Sequence, residues 1–354
     1  MTRLPLISFI ASLLLSSCTT QQDSTFTQQV NPFTGTGGHG HTYPGATSPF
    51  GMVQLSPDSR LTGWDGCSGY HYSDSLIFGF SHTHLQGTGI SDYGDILFIP
   101  TGGKPLFAQD TSVTPEMSYA SSFSRNSEMA EPGYYSVFLD EPGAKIELTA
   151  GKRTGIQRYT FASEGEQYVT IDLHHRDKLL DWKLEQINEY EIRGYRISEE
   201  WAKEQHVYFY SRFSAPVATI LENADSTRPA VFSLKFSGVK ELTVSTALSV
   251  TSMEGALANL ESEPASSDFD KTRTETAEAW NKELSLIKVK AGVPNNSGFF
   301  IPRCTTVLQL PISFPMLMAV TGAWTGRCIP IPDIPNTVYS RFGILFALPI
   351  PCTT

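Results

Sequence analysis

The sequence predicts an all-β fold, a large antiparallel β-sandwich followed by a short helical linker. Three observations carry this. Short runs rich in Val, Ile, Tyr, Phe and Thr recur across residues 26–284, separated by Gly, Pro and Asp. The 354 residues are 40% hydrophobic and 18% charged, a balance that supports a sizeable core. Helical periodicity enters only near the end of that region. The 26 basic residues against 36 acidic ones give a net charge of −10, so nucleic acid is not an expected partner.

Taken in order, the chain starts with Arg3 and an apolar run at 4–15, the length of a secretory signal rather than of a bilayer span. Leu15, Ser16, Ser17 and Cys18 follow, small residues before a cysteine in the manner of a bacterial lipobox. The expectation is a signal peptide over 1–18, with Cys18 lipidated and a polar spacer at 19–29. Each acyl CH₂ buried in the membrane contributes about 0.8 kcal/mol. An ordinary cleaved signal with a coincidental cysteine is the alternative. Secretion across the inner membrane follows either way, with the lipid anchor placing the protein in the periplasm or on the outer-membrane surface.

Strands are predicted at 96–100, 134–139, 144–149, 155–161, 168–173, 190–196, 206–213, 230–236 and 242–248, most with partial alternation. Helices follow at 252–260 and 268–284. In the second, Phe269, Thr272, Thr276, Ala279, Trp280 and Leu284 share one face. From Val293 to Thr354 the composition changes: four charged residues, nine of the 22 prolines and none of the eight histidines. Pro311 and Pro315 interrupt the apolar stretch there. The five cysteines (Cys18, Cys67, Cys304, Cys328 and Cys352) make neither a disulfide framework nor a metal knuckle.

Residues 31–94 hold the unusual chemistry. Glycines crowd beside His39, His41, Tyr43, Trp64, Asp65, Tyr70, His71, His82 and His84. Backbone held close to a ligand, with aromatic rings and hydrogen-bonding side chains around it, suits a sugar. The pairs His39/His41 and His82/His84 are spaced i, i+2, so on a strand each could share a metal; the preferred reading is that they bond to backbone. Gly35, Thr36, Gly37 and Gly38 lack the Lys and helix of a phosphate loop. Trp64 reads as a core residue or a sugar platform, and Cys67 as a small inert hydrophobe.

Several motifs stand in sequence: Asn31-Pro32-Phe33-Thr34-Gly35-Thr36, Gly40-His41-Thr42-Tyr43-Pro44-Gly45, Pro49-Phe50-Gly51-Met52-Val53-Gln54 and Gly63-Trp64-Asp65. Phe80-Ser81-His82-Thr83-His84-Leu85, Gly194-Tyr195-Arg196, Trp201-Ala202 and Ala279-Trp280-Asn281-Lys282-Glu283-Leu284 continue the series. Together they resemble the N-terminal domain of glycoside hydrolase family 92 α-mannosidases, over about 30–290. Gln157 departs from a usual His, and Glu200 from a usual Gly.

The resemblance implies a calcium-dependent, exo-acting, inverting α-mannosidase acting on mannose-containing glycans. Its sandwich packs on an (α/α)₆ barrel that carries the acid, the base and most calcium ligands. In this sequence the barrel is missing. Joining the third base of each codon to the first two of the next makes the tail resemble the barrel's opening. Gly is forced from Met318-Ala319 and Asp from Trp324-Thr325. The organisation expected is a sandwich over 30–251, a linker over 252–292 toward the catalytic domain, and an out-of-frame, unfolded tail over 293–354. Without the barrel no residue here takes a catalytic role and the chain is expected to be inactive. Trp64 and Asp65 are the first choices for shaping a mannose pocket, with His41, Tyr43, His82 and His84 next. The rivals are a non-catalytic carbohydrate-binding surface lipoprotein and a structural or adhesin sandwich.

Overall fold

A computed structural model describes residues 25–87, 89–103, 118–263 and 268–286. The expected signal peptide with Cys18, most of the spacer, the end of the linker and the tail lie outside them. Among the described residues the strands are β1 (Ala46–Thr47), β2 (Gln54–Asp58), β3 (Leu76–Ile77), β4 (Gly79–Ser81), β5 (Leu97–Gly102), β6 (Ser121–Ser122), β7 (Met129–Glu131) and β8 (Tyr134–Leu139). They continue with β9 (Ala144–Ala150), β10 (Thr154–Asp172), β11 (Lys178–Asn188), β12 (Glu191–Glu199), β13 (Gln205–Phe213), β14 (Val217–Glu222) and β15 (Val231–Ser249). Two helices close the order, α1 (Met253–Ser262) and α2 (Phe269–Leu284).

Every pairing is antiparallel. Thirteen strands form one sheet, and β3 with β6 forms a small second one. The long strands β10 and β15 are its spine, in register from Thr154↔Ala247 to Asp172↔Val231 apart from a bulge between Thr160 and Gln167. The bulge is where each strand changes partners. Before it β10 pairs with β9, and after it with β5. β15 pairs first with β14, then with β13. An added residue bends a strand and increases its twist, so one sheet turns back on itself as two layers. β1 and β2 lie over β9, and Trp182 of β11 meets Phe232 of β15 edge-on at 5.5 Å. Between the layers Leu55, Phe80, Phe98, Tyr159, Phe209 and Leu234 are fully buried, each worth about 1.5–3 kcal/mol of apolar transfer.

The predicted strand 134–139 is β8 end to end. The predictions at 155–161 and 168–173 are halves of β10, and those at 230–236 and 242–248 are halves of β15. β11 and β14 were not foreseen. Both helices are capped by the residues at which they were predicted to start: Ser252 accepts from Gly255 N, and Asp268 from Lys271 N. On α2 the buried residues are Phe269, Thr272, Thr276, Trp280 and Leu284, with Ala279 half-buried. This helix is seated on the sandwich. Trp280 Nε1 donates to Thr47 O at 2.6 Å, Thr276 Oγ1 to Ala150 O at 2.7 Å, and Thr27 N to Asn281 Oδ1 at 3.0 Å. No helix among the described residues is long and apolar enough to cross a membrane.

Candidate functional site

The site begins at a turn. Gly63, at φ 81°, opens a 3₁₀ turn over Trp64–Gly66 and adopts a backbone region that side chains disfavour. Trp64 stands 62% exposed beside it. Its ring lies on Gly89, where a Cβ would fall 1.9 Å from Trp64 Cζ3, so the loop passes only as glycine. Asp65 Oδ1 is 2.6 Å from His39 Nδ1 and 3.4 Å from His41 Nε2. The His41 ring meets Trp64 edge-on at 5.0 Å. The hydrogen bond from His39, helped by that from His41, holds the Asp65 carboxyl below the usual carboxylate range. At neutral pH Asp65 is therefore an ionised acceptor, unsuited to donating a proton. The structure brings Trp64, Asp65 and His41 together and adds His39.

Tyr43, His82 and His84 lie beneath this surface, all buried. Tyr43 packs on the His84 ring at 5.1 Å. His84 Nδ1 donates to Gln54 O at 2.8 Å, while His82 Nδ1 donates to Ile96 O at 2.6 Å. The Nδ1 atoms of the two rings thus bond to backbone carbonyls in different segments, Gln54 on β2 and Ile96 just before β5. Burial pushes His82 down to about 4. Gln157 Nε2 sits 3.4 Å from His82 Nε2. Among the described residues no three His, Cys, Asp or Glu side chains group as metal ligands.

A buried polar layer supports the turn. The fully buried Asp58 accepts from Ser81 Oγ at 2.5 Å and from Ser81 N at 3.2 Å. Its other oxygen lies 3.3 Å from His84 Nε2, 3.7 Å from His175 Nε2 and 3.8 Å from Arg176 Nη1. Burial alone would raise the Asp58 carboxyl, but the imidazoles of His84 and His175 hold it well below the usual range. Arg176 Nη2 donates to Gly66 O at 3.0 Å, reaching the turn itself. Alongside, Asp95 pairs with Arg196, both fully buried. Arg196 donates to the carbonyls of Leu173, His175 and Arg176, each at 2.9 Å.

Burial, then repulsion from Asp95, raises Asp92 to about 6. Asp177 is raised to about 7, again by burial first and despite Arg196. Sequence reasoning passed over His174, His175, Arg176 and Asp177. The available signal was four consecutive titratable side chains directly after a predicted strand, where alternation gives them no reason to be.

Chemically, an exposed indole beside an ionised carboxylate and two imidazoles can stack on a sugar's C–H face and accept its hydroxyl protons. Inverting hydrolysis needs two carboxyl groups about 6.5–9.5 Å apart across the scissile bond. Here Asp65 is committed to two histidines. The raised carboxyls lie elsewhere: Asp92 is buried, and Asp177 accepts from Tyr93 N at 3.0 Å.

Comparison with known proteins agrees with this fold. Residues 29–263 match the model of the glycosyl hydrolase family 92 N-terminal domain. A family 92 α-mannosidase from Bacteroides thetaiotaomicron, solved with mannoimidazole, is 34% identical with a TM-score of 0.70, covering 78% of this chain and 39% of that one. An inverting family 92 mannosidase from the same organism is 26% identical with a TM-score of 0.69, covering 82% and 40%. An uncharacterized secreted glycosidase of Arthroderma benhamiae is 23% identical over 320 residues, 79% of this chain and 40% of the relative. The chain thus spans about two fifths of the length of these relatives. It belongs to glycoside hydrolase family 92, a glycosidase family, and carries that family's N-terminal domain.

Proposed function

We propose that this domain supplies one wall of the sugar site of a secreted, exo-acting, inverting α-mannosidase whose substrates are mannose-containing glycans. The observation that carries the reading is the Trp64–Asp65 turn, an exposed ring laid on Gly89 with an ionised carboxylate held between His39 and His41. The ring faces the sugar's C–H surface and the carboxylate accepts from its hydroxyls. His41 steadies both, with Tyr43, His82 and His84 as the packing beneath. That a family relative was solved with mannoimidazole supports mannose as the sugar.

The proposal extends to three properties. The acid and base reside in a catalytic barrel rather than among residues 25–286, so these residues alone hydrolyse nothing. Calcium belongs to that barrel, and no step here runs through it. Cys18 carries the lipid that anchors the secreted protein to a membrane.

Calorimetry of the purified chain with mannoimidazole, alongside an assay for mannose released from α-mannosides, tests the reading. Binding without release is expected. Release by this chain alone would overturn the assignment of both catalytic groups to the barrel, and no binding would remove the sugar wall. Binding without release is also what a non-catalytic carbohydrate-binding lipoprotein would give. Sequencing the gene across codons 285–310 separates the two: a one-base discrepancy supports the mannosidase, and an unchanged reading frame the binding protein.

A further inference from the structure

The side chain of Arg176 is almost entirely buried, yet it lies between the fully buried Asp58 and the turn that carries the exposed Trp64. One nitrogen, Nη1, is 3.8 Å from Asp58 Oδ1. The other, Nη2, donates to Gly66 O at 3.0 Å and Cys67 O at 3.4 Å, and also to Ser91 Oγ. Space around it is exact: a Cβ on Gly69 would lie 3.0 Å from Nη1, and one on Gly94 2.6 Å from Cδ. The backbone beneath is strained. Arg176 has φ 53° and Asp177 φ 38°, left-handed values that are unfavourable for non-glycine residues. Arg196 holds that strain in place through the carbonyls of His175 and Arg176.

We infer that Arg176 is a positioning residue, a strut that fixes the Trp64–Asp65 turn at the height and angle a sugar ring requires. The inference rests on the proposed sugar wall but concerns a residue that touches no ligand. Arginine is needed because a planar fork can bond the turn with one nitrogen while facing Asp58 with the other; a lysine offers a single point charge. Ser91, on the loop leading from Gly89, ties the floor under the Trp64 ring to the same nitrogen.

Three variants of the full chain test this: Arg176→Lys, Arg176→Ala and, as the mildest, Ser91→Ala. Hydrogen exchange is measured peptide by peptide, and mannoimidazole affinity by calorimetry. Arg176→Lys is expected to raise exchange over 60–70 by at least about tenfold while 134–161 keeps its protection, because a local opening releases only the amides it frees. It is expected to weaken mannoimidazole by at least about tenfold, nearly as much as Arg176→Ala, with Ser91→Ala changing both readings in the same direction but less. Lysine behaving like the parent would overturn the fork. Exchange rising uniformly would reduce Arg176 to a fold residue, and a loosened turn with unchanged affinity would overturn the positioning role. If the arginine variants fail to fold, Ser91→Ala decides alone, no local change sinking the strut. If the parent itself does not bind mannoimidazole, the sugar wall fails while the exchange result still decides the strut.

Discussion

Two carboxylates in this domain meet basic side chains in opposite surroundings. Asp95 and Arg196 are both wholly buried, and every remaining donor is spent: Thr83 and Gln205 on the acid, three carbonyls and Ser198 on the base. Asp65 and His39 are 27% and 79% exposed in their side chains, and the Asp65 carboxylate bonds to His39 and His41. The first arrangement carries a large desolvation penalty that only full pairing offsets. The second is screened by water and salt and adds little to stability. A buried pair of this kind organises the fold, whereas an exposed pair is free to exchange its partner for a ligand.

The sharpest way to break the contrast is Arg196→Met. Stranding Asp95 and freeing three carbonyls should cost about 3–5 kcal/mol in urea unfolding. A loss under 1 kcal/mol would put Asp95 in contact with water and void the distinction. The two tryptophans give a parallel case. Trp280→Ala, emptying a fully buried site, should cost about 3–5 kcal/mol, whereas Trp64→Ala should change stability by less than about 0.5 kcal/mol while weakening mannoimidazole tenfold or more.

The pH profile sharpens the comparison further. Asp177, at about 7, and Asp92, at about 6, bind protons more readily folded than unfolded. Their protonation therefore raises stability as pH falls from about 7 toward 4. Below about 6.5 this is opposed by His82, pushed down to about 4, and by His174: burial keeps both neutral while the unfolded imidazoles charge. Below about pH 4 stability should fall, because Asp58, Asp172 and Glu147, at about 2, are held low in the folded state. Asp177→Asn should flatten the upper limb by of order 1 kcal/mol between pH 7.5 and 4.5 in urea midpoints; an unchanged limb would mean the carboxyl is solvated. The smallest effect expected is that of Asp65→Asn, which should leave the urea midpoint where it is and show itself only in lost sugar affinity.

Strands were legible where aromatic and β-branched residues run together. β8 was readable from its sequence because Tyr134, Tyr135, Val137 and Phe138 form such a run, closed by Leu139 and buried at every position but Phe138. β11 was passed over although Trp182 and Leu184 alternate with Asp181, Lys183 and Glu185; it lies at the sheet's edge with none of its residues buried, so the alternation is not backed by a dry face. Each half of β10 looked like a whole strand because the bulge at Thr160–Gln167 carries exposed, polar residues. The motif stretch pointed to Trp64, Asp65 and His41. It could not tell the surface histidines from His82 and His84, since residue type does not say which carbonyl waits nearby. Arg176 escaped notice because its partners are 109 and 110 residues away in sequence.

Thr27 and Asn281 are 254 residues apart along the chain and one hydrogen bond apart in space. In topological terms the domain is almost a ring. A short peptide joining the end of α2 to Thr25 would complete it, and the exposed turn around Ser226, between β14 and β15, offers a place to open it. The permuted chain would begin with the spine strand β15, keep every pairing described here, and have no frayed end near the seat of Trp280.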